Sequence, residues 1–243
     1  MSTMASYKIL PLQDKGIDVE SIENRVESMS ALESSAELRS GTLPHSFQTF
    51  QGKICYVEYA QEQETEVTTL EEEDKKIKVA GMYPVIFLGN GFVAYDANLP
   101  NQDIETKVVD MVSNLLDTGI SYEAVEFNKD DLEDVVTQAN KVREANFKPS
   151  TQKPNTISAQ YLPGLQETKI WYQYASDPME KVRVDLPDHT TYNVSFYEKG
   201  RVTVHGRNIP EDVQVKILTY ITDEVVSNLD ISSFQKKLEG GFQ

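Results

Sequence analysis

Hydrophobic spacing switches between two periods along the chain, and it does so twice. An apolar run at Tyr7–Leu12 precedes Ile22, Val26 and Met29, which recur at helical spacing within 17–29. Such a stripe predicts an amphipathic helix. Ile120–Phe127, whose stretch Tyr122–Phe127 alternates like a half-buried strand, precedes Leu132, Val135, Val136, Ala139 and Val142. This second stripe predicts a helix over 132–142, with Asp130 and Glu133 as its capping box. Strand-like runs follow in both halves, and each half ends on another helical stripe. The first closing stripe is Ile104, Val108, Met111, Val112 and Leu115; the second is Val213, Ile217, Ile221, Val225 and Leu229. Pro100 and Pro210 stand just ahead of them, with acidic residues in the first turn, as suits a helix start.

The two halves also align residue by residue. Tyr83 matches Tyr192, Val85 matches Val194, Phe87 matches Phe196 and Gly91 matches Gly200. After one inserted residue, Asn98-Leu99-Pro100 matches Asn208-Ile209-Pro210. Gly91 and Gly200 each separate two β-rich runs and predict tight hairpin turns. Upstream, Lys53–Ala60 resembles Lys169–Ala175 with one residue deleted, so both are expected to be strands. The expected fold class is α+β: a tandem pseudo-twofold repeat of β-α-β-β-β-β-α units, 1–117 and 118–243. These units are expected to form a curved antiparallel sheet, covered by helices on one face and open on the other. The acidic stretch Glu62–Lys78 is expected to be a long solvated hairpin and Lys148–Asn155 a loop, while Ser30–Ser40 fits either a frayed helix or a loop.

At 243 residues the chain suits one large domain or two joined halves, and 39% hydrophobic content excludes global disorder. No apolar run approaches the length of a membrane span, and no basic-then-apolar leader is visible, so neither membrane insertion nor secretion is expected. Cys55, the single cysteine, has no internal disulfide partner and reads as a packed core thiol. A reducing cytoplasm is the expected compartment. The net charge is −16. Residues 1–117 hold 9 basic and 20 acidic residues, and residues 118–243 hold 14 and 19, so the acidity is concentrated in the first half. Such a balance opposes nonspecific attraction to nucleic acid or anionic membranes.

Catalytic signatures are absent from the sequence. His45, His189 and His205 have no metal-ligand spacing, there is no second cysteine for a zinc site, and no phosphate-binding or nucleophile-elbow motif occurs. Glu71–Lys76 contains acid-x-Lys spacing but lacks the partner acid of a nuclease site, so it reads as a solvated charge run. Asp130, Asp131, Glu133 and Asp134 complement a helix dipole. No catalytic residue, metal or cofactor is expected, and the chain reads as non-enzymatic.

The element order and the central motif resemble the TATA-binding protein family. The second copy reads Val194-Ser195-Phe196 through Gly200-Arg201 to Gly206-Arg207; the first reads Val85-Ile86-Phe87 through Gly91-Phe92 to Ala97-Asn98. Pro163-Gly164-Leu165 also looks like a family signature. The resemblance implies a duplicated saddle whose open face meets DNA, with phenylalanines wedged into the minor groove and basic residues on phosphates. Carried onto this sequence, it makes Phe50, Phe87, Phe196, Arg201 and Arg207 the candidate DNA- or partner-binding residues. Phe47 lies near Phe50, and Leu162 or Leu165 holds the corresponding position in the second copy. Phe87 and Phe196 also fit a core role. Arg201 and Arg207 have uncharged counterparts, Phe92 and Asn98, in the first copy. The aromatic runs (Tyr56, Tyr59, Trp171, Tyr172, Tyr174) place rings on the open face or in the core. Two partner classes stay open: double-stranded DNA, in transcription or another DNA transaction, and a protein engaged by a regulatory or assembly module on the same scaffold.

Overall fold

The computed structural model describes residues 5–12, 17–30, 41–68, 74–116, 124–149, 156–161, 164–187 and 192–228. Among them are ten strands and five α-helices, an α+β fold. No helix among these residues is long and apolar enough to cross a membrane. The chain divides into two compact units, Pro11–Tyr122 and Met1–Leu10 with Glu123–Gln243. The first strand, β1 (Ala5–Pro11), therefore contributes most of its length to the unit built from the C-terminal half.

The unit Pro11–Tyr122 contains α1 (Val19–Ser28), β2 (Gly41–Phe50), β3 (Ile54–Thr68), β4 (Asp74–Leu88), β5 (Phe92–Asp96) and α2 (Gln102–Leu116). The four strands form an antiparallel meander in sequence order. The second predicted stripe holds in full, and the first holds except for Met29, which is the half-buried C-cap of α1. Ile22 and Val26 are buried on α1, and Ile104, Val108, Met111, Val112 and Leu115 on α2. Asp18 caps α1 through the Ser21 amide, and Asn101 Oδ1 accepts from the Ile104 amide at 3.0 Å at the start of α2. Arg25 on α1 donates to the carbonyls of Asn114 and Leu115, which the last turn of α2 leaves without helical partners. The Gly91 hairpin joins β4 to β5, and Gly91 has φ 91°. The expected long hairpin over 62–78 is present as the β3–β4 ladder, which runs from Cys55↔Phe87 to Thr68↔Asp74; its turn, 69–73, lies outside the described residues.

The second unit combines β1 with α3 (Lys129–Gln138), β6 (Lys141–Phe147), β7 (Ile157–Gln160), α4 (Lys169–Tyr174), β8 (Met179–Asp185), β9 (Asn193–Tyr197), β10 (Val202–His205) and α5 (Glu211–Tyr220). Its strands lie in the order β1-β10-β9-β8-β6-β7, all antiparallel. Helices pack on one face. The Tyr7 hydroxyl of β1 donates to Gln214 Oε1 on α5, and α3 lies against β8. Gly200 turns the β9–β10 hairpin at φ 76°, and a Cβ there would stand 1.8 Å from the Val125 carbonyl oxygen. Only glycine permits that approach. On the closing stripe Ile217, Ile221 and Val225 are buried, the last two in a π-helical turn that continues α5; Leu229 lies outside the described residues.

Four local expectations are corrected. Lys169–Tyr174 is a helix, not a strand. Thr168 caps it through the Trp171 amide, and Trp171 and Tyr174, three apart, both meet Phe147 at ring-centroid distances of 5.9 and 6.1 Å. That packing is available only at helical spacing. Residues 124–128 are extended but outside any ladder, bonding singly from Val125 N to Ile9 O and from Phe127 N to Glu198 O; residues 122 and 123 lie outside the described residues. The predicted helix over 132–142 spans 129–138, so Val142 belongs to β6. Its capping box is Asn128 with Asp131, two residues ahead of the expected pair. The described part of 148–155, residues 148 and 149, carries no regular structure, and Ser30 bridges Thr42 while 31–40 lie outside the described residues.

Candidate functional site

Strand alternation sorts the second unit's side chains onto two faces. The row Tyr7, Val202, Phe196, Val182 and Ala145 crosses β1, β10, β9, β8 and β6 on the helix side, since Tyr7 reaches α5. One residue along, Ser6, Thr203, Ser195, Arg183 and Glu144 cross the same strands on the opposite side. Asn193 with His205, Asp185 and Lys141 form a second row on that side; Tyr197, Lys181 and Asn146 form a third. The side away from the helices is therefore polar throughout its centre.

These groups are tied together. Arg143 Nε donates to both carboxylate oxygens of Asp185, at 3.0 and 2.9 Å, and its terminal nitrogen makes a further bond to Oδ2. Asn193 donates to Asp185 Oδ1 at 2.6 Å and accepts from Arg183 at 2.7 Å. Lys181 pairs with Glu144. Arg201 donates to Ser6 Oγ at 3.0 Å, and Ser6 bonds Thr203 at 2.9 Å. Ser195 bonds His205 Nε2 at 2.8 Å. Charge-assisted bonds of this kind fix side chains in one geometry.

The face carries excess positive charge. Lys141, Arg143, Lys181, Arg183 and Arg201 stand against two carboxylates, Glu144 and Asp185, in a chain of net charge −16. His205 registers this field: its pKa is lowered to about 4, first by burial and then by Arg183 and Lys181, so the ring is neutral at pH 7. The Ser195 hydroxyl beside it has no exposed surface. Two cations also attend one ring. Lys181 Nζ lies 5.5 Å and Arg201 Cζ 5.8 Å from the Tyr197 centroid.

The residues singled out from sequence fall in different places. Phe87 and Phe196 are fully buried. Phe196 lies in the helix-side row and meets Phe127 edge-on at 5.5 Å. Phe87 is two residues from Val85, which pairs with Tyr95, whose hydroxyl donates to Glu105 of α2 at 2.5 Å. Both phenylalanines thus point toward the helices and pack the core, so neither is placed to wedge between bases. Phe50 ends β2 on the side away from the helices, opposite Ile54, and is part-exposed. Arg201 joins the polar face, whereas Arg207 is exposed in the connection between β10 and α5. Leu165 is buried, and Leu162 lies outside the described residues. Tyr56 and Tyr59 are buried; Tyr172 is exposed.

Sequence reasoning missed Lys141, Arg143, Lys181, Arg183 and Asn193. A signal was present: Lys181-Val182-Arg183-Val184-Asp185 alternates strictly, with every charged residue on one side. Among the described residues no three His, Cys, Asp or Glu side chains are placed to hold an ion, and Asp131 is occupied as a helix cap. His189 and Glu71–Glu73 lie outside the described residues. No protein-family model matches the chain, and no curated protein is similar to it.

Proposed function

We propose that the chain is a non-enzymatic binding protein built from a duplicated β-α-β-β-β-β-α unit, and that its ligand is DNA, engaged in transcription or another DNA transaction. The duplication is supported by element order. β1, α1, β2–β5 and α2 run parallel to the extended segment 124–128, α3, β6, β8–β10 and α5, with β7 and α4 inserted between β6 and β8. One observation carries the DNA reading: five cations against two carboxylates on one face of the second unit's sheet. In a chain this acidic, such a concentration runs against the average and fits a polyanionic ligand. A cytoplasmic setting, where Cys55 stays reduced, accompanies the proposal.

Gel-shift titrations of the full chain with duplex and single-stranded DNA, at salt from about 50 to about 200 mM, test it. Binding that weakens steeply with salt, and that weakens again when Arg183 and Arg201 are both replaced by glutamine, supports phosphate contact. Absence of binding to both forms at the lowest salt ends the DNA reading.

A second reading, a protein-interaction module, is favoured by the segment between β6 and β8. It exposes Tyr161 (46%), Ile170 (44%) and Tyr172 (78%), large apolar side chains of the kind found at interfaces. Pull-down from native extract, compared with a variant carrying serine at all three positions, tests it; a partner set unchanged by the substitutions counts against this surface.

A further inference from the structure

Resting on the DNA reading above, we infer that the polar face of the second unit binds a single nucleic-acid strand and stacks a base against Tyr197. Lys181 and Arg183 are two residues apart on β8, which sets their Cα atoms roughly 6.6 Å apart. Lys141 and Arg143 lie on the adjacent strand β6, about 4.8 Å away. The cations therefore form a path from β6 over β8 and across Tyr197 of β9 to Arg201 beside β10. A path of this kind can follow one phosphate backbone. It is also recessed: the side chains of Lys181 and Arg143 are only 14% and 22% exposed. A flexible strand can settle among recessed cations, whereas a duplex, stiff over about 50 nm, touches groups that project.

The central rows add a negative argument. Between Ser6 and Glu144 the row holds buried hydroxyls followed by charged side chains, with no apolar wedge. Phe87 and Phe196, two of the phenylalanines that would kink a duplex, point the other way. Protein surfaces that hold single strands combine a cationic groove with an aromatic platform. Tyr197 supplies the platform. Its ring is part-exposed, and the exposed Arg201 guanidinium beside it is placed to meet a phosphate next to a stacked base.

Fluorescence anisotropy of the full chain decides the matter, using a labelled oligothymidylate of about 20 nucleotides, a duplex of the same length and a polyglutamate peptide. The single strand is expected to bind at least about tenfold tighter than the duplex, with polyglutamate weaker than either. Tyr197→Leu is expected to weaken the single strand about tenfold while leaving duplex affinity unchanged. Circular dichroism checks that this variant and Arg183→Gln retain the fold. Duplex binding equal to or tighter than single-strand binding overturns the inference and leaves the DNA function standing. Equal affinity for polyglutamate overturns it as well, as does an unchanged single-strand affinity in a folded Tyr197→Leu protein. Failure of both DNA forms to bind removes the inference together with the function it rests on.

Discussion

Arg143 and Asp185 face each other across neighbouring strands, and the guanidinium grips both oxygens of a carboxylate that is only 5% exposed. Asn193 adds a third donor to the same carboxylate and passes the order on to Arg183. One buried acid therefore organises two arginines.

Replacing Asp185 with alanine strands Arg143 in a part-buried site with no counter-charge. Loss of one partner from a buried, hydrogen-bonded pair costs about 3–5 kcal/mol, and the lower end applies because Arg143 is partly solvated. Chemical denaturation should show a drop of about 3 kcal/mol. Asp185→Asn keeps one of the two acceptor oxygens and the side-chain volume, and should lose less. A negligible change in both variants would mean that the pair does not order the face.

His205 should stay neutral well below the usual histidine range. Its folded pKa, about 4, lies below the unfolded value of 6.5, so the folded state resists protonation. The stability this provides is full above pH 6.5 and is lost as the pH falls from 6.5 toward 4. Histidine ring shifts followed by NMR should show one of the three residues untitrated at pH 5.5. In Arg183→Gln its pKa should rise, because a nearby positive charge has been removed.

Cys55 should resist thiol reagents while folded. Burial, aided by the negative charge of Glu23, lifts its pKa to about 12. Reaction with a disulfide reagent at pH 8 should be slow in the native protein and complete after denaturation. Because the folded pKa is raised, the thiol's contribution to stability is intact below pH 9 and fades between pH 9 and about pH 12.

Gly52 and Gly200 make a controlled comparison, since both have positive φ, at 66° and 76°. A Cβ at Gly52 meets nothing within 4 Å, so alanine there should cost about 1 kcal/mol of backbone strain alone. At Gly200 the same atom would collide with the Val125 carbonyl, and the loss should exceed about 3 kcal/mol. Similar melting temperatures for the two variants would refute the close approach.

Sequence periodicity found what periodicity controls. The stripes of α1, α2 and α5 and the two glycine hairpins were legible, because a repeating buried face leaves a repeating mark. Lys169–Tyr174 was not. Its Ile-Trp-Tyr-Gln-Tyr composition favours strands, and the Thr168 cap together with the distant Phe147 selects the helix. The charged face was half legible. Alternation in β8 marks its cations, but which face lies away from the helices depends on Tyr7 reaching α5, a contact spanning more than two hundred residues. Phe87 and Phe196 were ambiguous for the same reason: alternation gives two sides without saying which is covered.

Because β1 pairs with β10, that ladder must wait until residues near 200 have been made. Roughly two hundred residues of synthesis separate Ser6 from Thr203, and at about 5–20 residues per second that is an interval of tens of seconds. Throughout it, β1 stands without β10, while Pro11–Tyr122 already holds the chain for a meander of its own. Assembly is thereby staggered. The unit Pro11–Tyr122 can mature early, and the second unit closes only when β10 reaches back to β1.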